Sequence, residues 1–208
     1  MTAYYLHGLI VYVPRNSTRL GLLRFFVIVF PLVILKTNMK RAAYERVFVT
    51  VGTTKFEELI DKVTDPTVVN ELRRLGCRKL HLQIGRGKRP IISKSVLGSD
   101  IELKFFDLKT SIAEDIQQAD LVISHAGAGS CIEVLGAEKP LIVVINDRLM
   151  DNHQAELAER LSQEGYLLYC TCSTLSTTLA ERNLDQLKKF PPGTPAKFTS
   201  YLDAFMGY

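Results

Sequence analysis

From Arg46 onward, short β-branched runs alternate with stretches whose apolar residues recur at helical spacing. Residues 46–51 (RVFVTV) read as a buried strand that ends at Gly52-Thr53-Thr54. Residues 56–63 and 68–75 follow with helical periodicity, and Asp65-Pro66 breaks between them. Residues 79–84 (KLHLQI) form a second strand closing on Gly85-Arg86-Gly87. Residues 88–99 hold Pro90, Gly98 and several serines and read as a loop. Residues 102–106 are a third strand and 112–118 a short helix. A fourth strand, 121–124 (LVIS), runs through His125-Ala126-Gly127-Ala128-Gly129-Ser130 into a helix reaching about Ala137. Residues 141–145 (LIVVI) are a fifth strand, 152–164 a helix stopped by Gly165, and 167–170 a sixth strand. Ser173 reads as the N-cap of another helix. Pro191-Pro192-Gly193 reads as a turn before a last amphipathic helix at 196–206.

Strands alternating with helices imply an α/β fold, a Rossmann-like parallel sheet covered by helices on both faces. The nearly continuous apolar strands agree, because such strands are buried on both sides. Ligands of open parallel sheets bind at the carboxyl ends of strands, where glycine turns let backbone approach closely. Three turns fit that position: Gly52-Thr53-Thr54, Gly85-Arg86-Gly87 and Gly127-Ala128-Gly129-Ser130.

At 208 residues and 47% hydrophobic, the chain suits one packed domain and excludes a disordered one. Its 26 basic against 22 acidic residues invite a nucleic-acid reading. The excess lies at the front, however. Residues 1–45 hold Arg15, Arg19, Arg24, Lys36, Lys40 and Arg41 against one acid, Glu45, while the remainder is nearly neutral and lacks a long basic run. Phosphate-backbone binding is therefore disfavoured, and no nucleic-acid partner is expected. Cys77, Cys131, Cys170 and Cys172 are too few for a disulfide scaffold and read as small buried residues. Residues 1–45 read as an N-terminal extension and 46–208 as the folded domain. Within the extension, 20–35 is membrane-like, but its unbroken apolar run, 25–35, contains Pro31 and falls short of the ~20 residues that span a bilayer. Three readings stand: an anchor or interfacial segment, a poorly ordered extension, or a segment upstream of a true start at Met39.

The glycine turn at Gly127-Ala128-Gly129-Ser130 opens a helix, whose free N–H groups and dipole make a natural anion site. Ser130 either caps that helix or donates to a phosphate. Glu133 stands three residues on, the capping-box spacing. It serves there as a helix-start signal or as a carboxylate accepting hydrogen bonds from ribose hydroxyls, and spacing does not separate the two. The dinucleotide fingerprint is absent, since Ile132 occupies the third glycine position and Arg73-Arg74 replaces the expected acid. A nucleotide-dependent oxidoreductase is thus the weaker rival. Asn152, His153 and Gln154 begin the helix after the fifth strand and offer neutral hydrogen-bonding groups suited to sugar hydroxyls. His125 ends the fourth strand as a candidate phosphate donor, whereas His81, inside the second strand, reads as packing. No His/Cys cluster has metal-ligand spacing, so no metal and no cofactor are expected.

Residues 120–154 (DLVISHAGAGSCIEVLGAEKPLIVVINDRLMDNHQ), with VFVTVGTTKFEELI and LQIGRG before them, closely resemble one family. It is the soluble donor-binding subunit of the two-component UDP-N-acetylglucosamine transferase of asparagine-linked glycosylation, in glycosyltransferase family 28. The resemblance covers about 46–208, including YCTCSTL and FPPG. It implies the donor-binding, C-terminal half of a GT-B glycosyltransferase. The implied donor is UDP-GlcNAc and the acceptor dolichyl-diphosphate-GlcNAc. The second GlcNAc would be added β1,4 with inversion, at the cytosolic face of the endoplasmic reticulum. A membrane-anchored acceptor-binding subunit is the implied partner, contacted by a C-terminal helix through Phe198, Tyr201, Leu202 and Phe205. By the same resemblance, Gly127–Ser130 (Gly127, Ala128, Gly129, Ser130) holds the pyrophosphate and Glu133 the ribose. His153 and Gln154 would touch the donor sugar, with Gly52, Thr53, Thr54, Gly85, Arg86 and Gly87 lining the cleft. The backbone at Leu108 and Lys109 would read uracil. The catalytic base is expected on the partner. Relative to the bacterial enzyme that makes lipid II, His125 replaces an arginine and His153 a glutamine. A non-catalytic nucleotide-sugar-binding or scaffolding subunit remains the alternative.

Overall fold

The computed structural model describes residues 44–90, 94–98, 100–146 and 153–191, together with the backbone of two short N-terminal strands. Those two, β1 (Thr2–Leu6) and β2 (Leu9–Val13), pair antiparallel, with Leu6 opposite Leu9. They belong to a unit covering Met1–Met39, separate from the unit covering Lys40–Tyr208. The apolar run 20–35 and the expected helix at 196–206 lie outside the described residues. Among the described residues, no helix is long and apolar enough to cross a membrane.

The second unit follows the alternation of the sequence. Strand β3 (Arg46–Thr50) leads to helices α1 (Glu57–Val63) and α2 (Pro66–Arg74), then β4 (Lys79–Gln83). The short α3 (Lys94–Leu97) precedes β5 (Glu102–Phe106) and α4 (Ala113–Gln118). Then come β6 (Leu121–His125), α5 (Ala128–Gly136), β7 (Leu141–Ile145), α6 (His153–Gln163), β8 (Leu168–Thr171) and α7 (Leu175–Glu181). A 3-10 turn at Leu184–Gln186 is the last described element.

All six strands from β3 to β8 run parallel in the order β5-β4-β3-β6-β7-β8. Period-2 alternation divides the core. Val47 and Val49 pack on one face with Leu59, Ile60, Leu72 and Leu175, while Phe48 packs on the other with Ile116, Val134 and Leu161. The central strands β6 and β7 are buried nearly throughout, and the edge strand β5 is not. The fold class read from the sequence is therefore the one found. The chain winds outward from β3 to β5, then returns to β6 on the other side of β3. The order reverses between β3 and β6, which makes their carboxyl ends the topological switch point.

Two local expectations are corrected. Residues 88–99 are not wholly loop, because α3 forms within them. A distant side chain secures it: the Arg73 guanidinium donates to the carbonyls of Val96 (3.3 Å) and Leu97 (3.1 Å) and to the Asp100 carboxylate (2.6 Å). That guanidinium sits where helix carbonyls lack internal partners. Ser173 is not the N-cap of α7; Thr174 holds that position, without a side-chain capping bond. The Thr174 N–H donates to the Thr171 carbonyl at 3.2 Å, closing a turn that delays the helix by one residue. Ser173 Oγ instead lies 2.7 Å from Thr171 Oγ1. Cys77, Cys131, Cys170 and Cys172 are free and buried, as read from the sequence. Burial pushes the Cys131 thiol up to about 11 and that of Cys170 to about 12, so neither is a thiolate at neutral pH.

Candidate functional site

Four polar residues are buried in the described chain: Thr50, Gln83, Ser124 and His125. All four stand at the carboxyl ends of β3, β4 and β6, around the switch point. Thr50 Oγ1 donates to Gln83 Oε1 and accepts the Gly52 N–H at 3.0 Å. Ser124 Oγ donates to the His125 carbonyl at 3.0 Å. The layer beneath the three glycine turns is thus polar and largely satisfied, in contrast to the apolar strands leading into it. Sequence reading passed over Thr50, Gln83 and Ser124. Their signal was present as a polar residue closing each apolar run.

Hydrogen bonds knit the turns together. The Arg86 N–H donates to the Thr54 carbonyl (3.1 Å), and the Gly85 N–H to the Asp107 carbonyl (3.1 Å). Thr54 closes its own turn, with Oγ1 donating to the Val51 carbonyl at 2.8 Å. The Lys88 N–H donates to Glu57 Oε1 at 3.2 Å, tying the end of the second turn to α1. Thr53, Thr54 and Arg86 are exposed, and Arg86 has no side-chain partner among the described residues.

His125 joins the first turn to the third. A Cβ on Gly52 would lie 2.7 Å from His125 Cε1, and one on Gly127 only 2.3 Å from Nε2. The imidazole is a wedge between two backbone turns, and glycine is what lets them approach it. It is 9% exposed, and its Nδ1 is enclosed with no hydrogen-bond partner among the described residues. Burial pushes its pKa below the ordinary histidine range, with the nearby Thr50 backbone opposing the shift. The ring is therefore neutral at pH 7.

Helix α5 begins at Ala128, with Gly127 as N-cap at φ −75° and ψ 122°. Its first N–H groups, at Ala128, Gly129 and Ser130, have no intrahelical acceptor by the geometry of any α-helix. The first turn contains no acidic residue, so the positive end of the dipole stays uncompensated. This start corrects the capping-box reading. Ser130 is the third helical residue rather than the cap, and no side chain caps this end. The helix begins earlier because the glycine turn itself supplies the extended N-cap conformation. Glu133 consequently lies in the second turn, exposed, and its side chain makes no hydrogen bond or ion pair among the described residues.

Leu108 and Lys109 follow β5, beside the Gly85 turn, and Leu108 is 46% exposed. His153 and Gln154 open α6 after the carboxyl end of β7; only their backbone is described. Asn152, Phe198, Tyr201, Leu202 and Phe205 lie outside the described residues. His81 packs as read: its ring lies 5.0 Å from that of Phe106. It also reaches Asp115, with Nδ1 3.2 Å from Oδ1. Among the described residues, no group of His, Cys, Asp and Glu is arranged to hold a metal.

A cavity of about 460 Å³ opens at the opposite edge of the sheet, lined by Tyr44, Asp120, Pro140, Tyr166, Leu187 and Phe190 among others. Tyr44, Asp120, Pro140 and Tyr166 precede strands, while Leu187 and Phe190 lie in the segment after the last helix. That edge offers helix carboxyl ends, where the dipole disfavours anions. Size alone therefore does not make this cavity the anion site.

The glycosyltransferase family 28 C-terminal domain matches residues 46–203 of the chain. The chain is 52% identical over 132 residues to the UDP-N-acetylglucosamine transferase subunit ALG13 of Mus musculus, covering 64% of this chain and 11% of that protein. It thus spans about a tenth of the length of the mammalian relatives it matches. To the subunit of the same name from Saccharomyces cerevisiae it is 32% identical over 176 residues, covering 69% of this chain and 87% of the yeast protein. The solution structure of ALG13 superposes with a TM-score of 0.58 at 29% identity, covering 77% of this chain and 96% of that one. The crystal structure of Acinetobacter baumannii MurG gives 0.52 at 21% identity, covering 69% and 42%, a likeness of fold.

Proposed function

Because the chain belongs to the glycosyltransferase family 28 C-terminal domain family, we propose that the carboxyl edge of its sheet binds UDP-GlcNAc for glycosyl transfer. The observation that carries this reading is the convergence of three glycine turns and one open helix N-terminus at the switch point between β3 and β6. A diphosphate would accept hydrogen bonds from the N–H groups of Ala128, Gly129 and Ser130. Glu133, one turn on, would accept from the ribose hydroxyls. Gly52 and Gly85, with Thr53, Thr54, Arg86 and Gly87, would line the cleft. Leu108 and Lys109 would meet the base, and Asn152, His153 and Gln154 the sugar.

Transfer to a sugar hydroxyl requires a base for that hydroxyl and stabilisation of the departing diphosphate. As the glycosidic bond breaks, negative charge grows on the β-phosphate. Fixed N–H groups at the start of α5 would meet that charge without reorganising, which is where such donors contribute most. Arg86, exposed and unpaired among the described residues, would supply a mobile cation. The neutral His125 would keep the first and third turns at a fixed separation. The base would come from a membrane-anchored acceptor-binding partner, engaged through Phe198, Tyr201, Leu202 and Phe205. The word "subunit" in the relatives' names supports a partner. In this reading the acceptor is dolichyl-diphosphate-GlcNAc at the cytosolic face of the endoplasmic reticulum, and the product is β1,4-linked with inversion.

The test is transfer of radiolabelled GlcNAc from UDP-GlcNAc to a short-chain lipid-diphosphate-GlcNAc, using the full chain with and without the membrane partner. Transfer is expected only with both present. Turnover by the chain alone would contradict the division of labour. Donor binding without transfer in either case would favour a purely binding subunit.

A further inference from the structure

We infer that Asp115 is a positioning residue, fixing through Lys109 the loop that selects the nucleobase of the donor; the inference rests on the reading that a nucleoside diphosphate sugar occupies the carboxyl edge. The loop runs from Asp107 to Ile112, between β5 and α4. Its first residue is anchored, because the Asp107 carbonyl accepts the Gly85 N–H at 3.1 Å. Beyond that point, Leu108, Lys109, Thr110 and Ser111 are exposed and make no backbone hydrogen bond among the described residues. Their N–H and C=O groups remain available to a ligand, and Leu108 adds an exposed apolar side chain.

Such a segment has no ladder to hold it, so its side chains must. Lys109 Nζ donates to both carboxylate oxygens of Asp115, each at 2.8 Å. The same ammonium lies 4.1 Å from the centroid of the Phe106 ring. Asp115 is not a surface acid; its side chain is 9% exposed, and Oδ1 is also 3.2 Å from His81 Nδ1 on β4. Ser111 Oγ accepts the Ala113 N–H at 3.2 Å, closing the far end of the loop onto α4. Three elements thus meet at one largely shielded carboxylate: β4 through His81, the loop through Lys109, and α4, which carries Asp115 itself. A carboxylate side chain only 9% exposed, bonded through both oxygens to one ammonium, gives the loop a fixed anchor before any ligand arrives.

The location suits a base. Strand β5 lies three positions from β6, about 14 Å across the sheet at typical strand spacing. A diphosphate at the start of α5 would extend its nucleoside toward this end of the sheet. Bases are selected by a few fixed donors and acceptors beside an apolar surface, and such selection depends on the loop being organised in advance. Asp115 would act on selectivity without touching the ligand.

The experiment is calorimetric titration of the full chain and its Asp115→Asn and Lys109→Met variants with UDP, ADP and inorganic pyrophosphate. The wild type is expected to prefer UDP over ADP. Each variant should lose about tenfold in UDP affinity and most of that preference, while pyrophosphate affinity stays within twofold. Lys109 is 42% exposed, so its variant is expected to fold even if Asp115→Asn does not. A preference for UDP retained in the folded variants overturns the inference alone, as does equal weakening of all three ligands. A wild type that binds none of the three overturns the donor-site reading and this inference with it.

Discussion

Replacing Glu133 with alanine is expected to weaken UDP binding by about 100-fold or more while leaving the fold intact. A carboxylate accepting from two vicinal hydroxyls makes charge-assisted hydrogen bonds, each worth about 1.5–3 kcal/mol, and every ~1.4 kcal/mol is a factor of ten. The fold is spared because the Glu133 side chain is exposed and makes no hydrogen bond or ion pair among the described residues. Alanine is also the better helix former at that position. Calorimetry with UDP and with inorganic pyrophosphate separates the causes. Loss for UDP alone places Glu133 on the ribose. Equal loss for both would mean that α5 as a whole had been disturbed. Unchanged UDP affinity would remove Glu133 from the site.

Gly85→Ala should produce the larger structural effect, a destabilisation on the order of 3 kcal/mol. Gly85 sits at φ +61°, a conformation that costs an L-residue roughly 1–2 kcal/mol. Its new Cβ would lie 2.3 Å from the Thr54 carbonyl oxygen and 2.9 Å from that of Gly52. Both are backbone atoms of the adjoining turn and cannot swing aside as a flexible side chain would. The two turns must separate, which sacrifices the bond from Arg86 to Thr54. Such a loss is a large part of a typical domain's ~5–15 kcal/mol. Urea unfolding should show a lower midpoint at an unchanged slope. Gly136→Ala is the control, since a Cβ added there would meet nothing within 4 Å. It should change stability by no more than about 1 kcal/mol. Equal effects from the two substitutions would contradict the close approach at Gly85.

The six strands were legible because each is a short run of β-branched, leucine or aromatic residues between turns, and every one lies within a residue or two of its expected position. Their order was not, since adjacency of β3 to β6 depends on crossovers that no local pattern encodes. The pair β1 and β2 was not legible, although two short apolar runs, TAYYL and LIVYV, flank His7-Gly8; the apolar run at 20–35 dominates that end of the chain. The glycine turns were found because glycine marks close backbone approach. Why Gly127 must be glycine was not visible. Its φ of −75° suits any residue, and the requirement comes from the His125 ring two residues earlier. Of the two roles open to Ser130 and Glu133, the capping one fails, because the turn before them already provides the N-cap conformation. The buried Thr50, Gln83 and Ser124 were passed over because sequence does not distinguish a polar strand end facing solvent from one beneath a ligand loop. Asp115 belongs to the same class, and Lys109 is legible only as a backbone position. They stand six positions apart in the chain, and their significance comes from His81 and Phe106, on neighbouring strands.

The most direct test of the account is backbone-amide NMR of the full chain during titration with UDP-GlcNAc. The account predicts that the largest shifts fall on Gly52, Gly85, Ala128, Gly129 and Ser130, all at the carboxyl ends of strands. Shifts confined to the cavity at the opposite edge, at Tyr44, Tyr166 and Phe190, would contradict it, as would no shift at saturating donor.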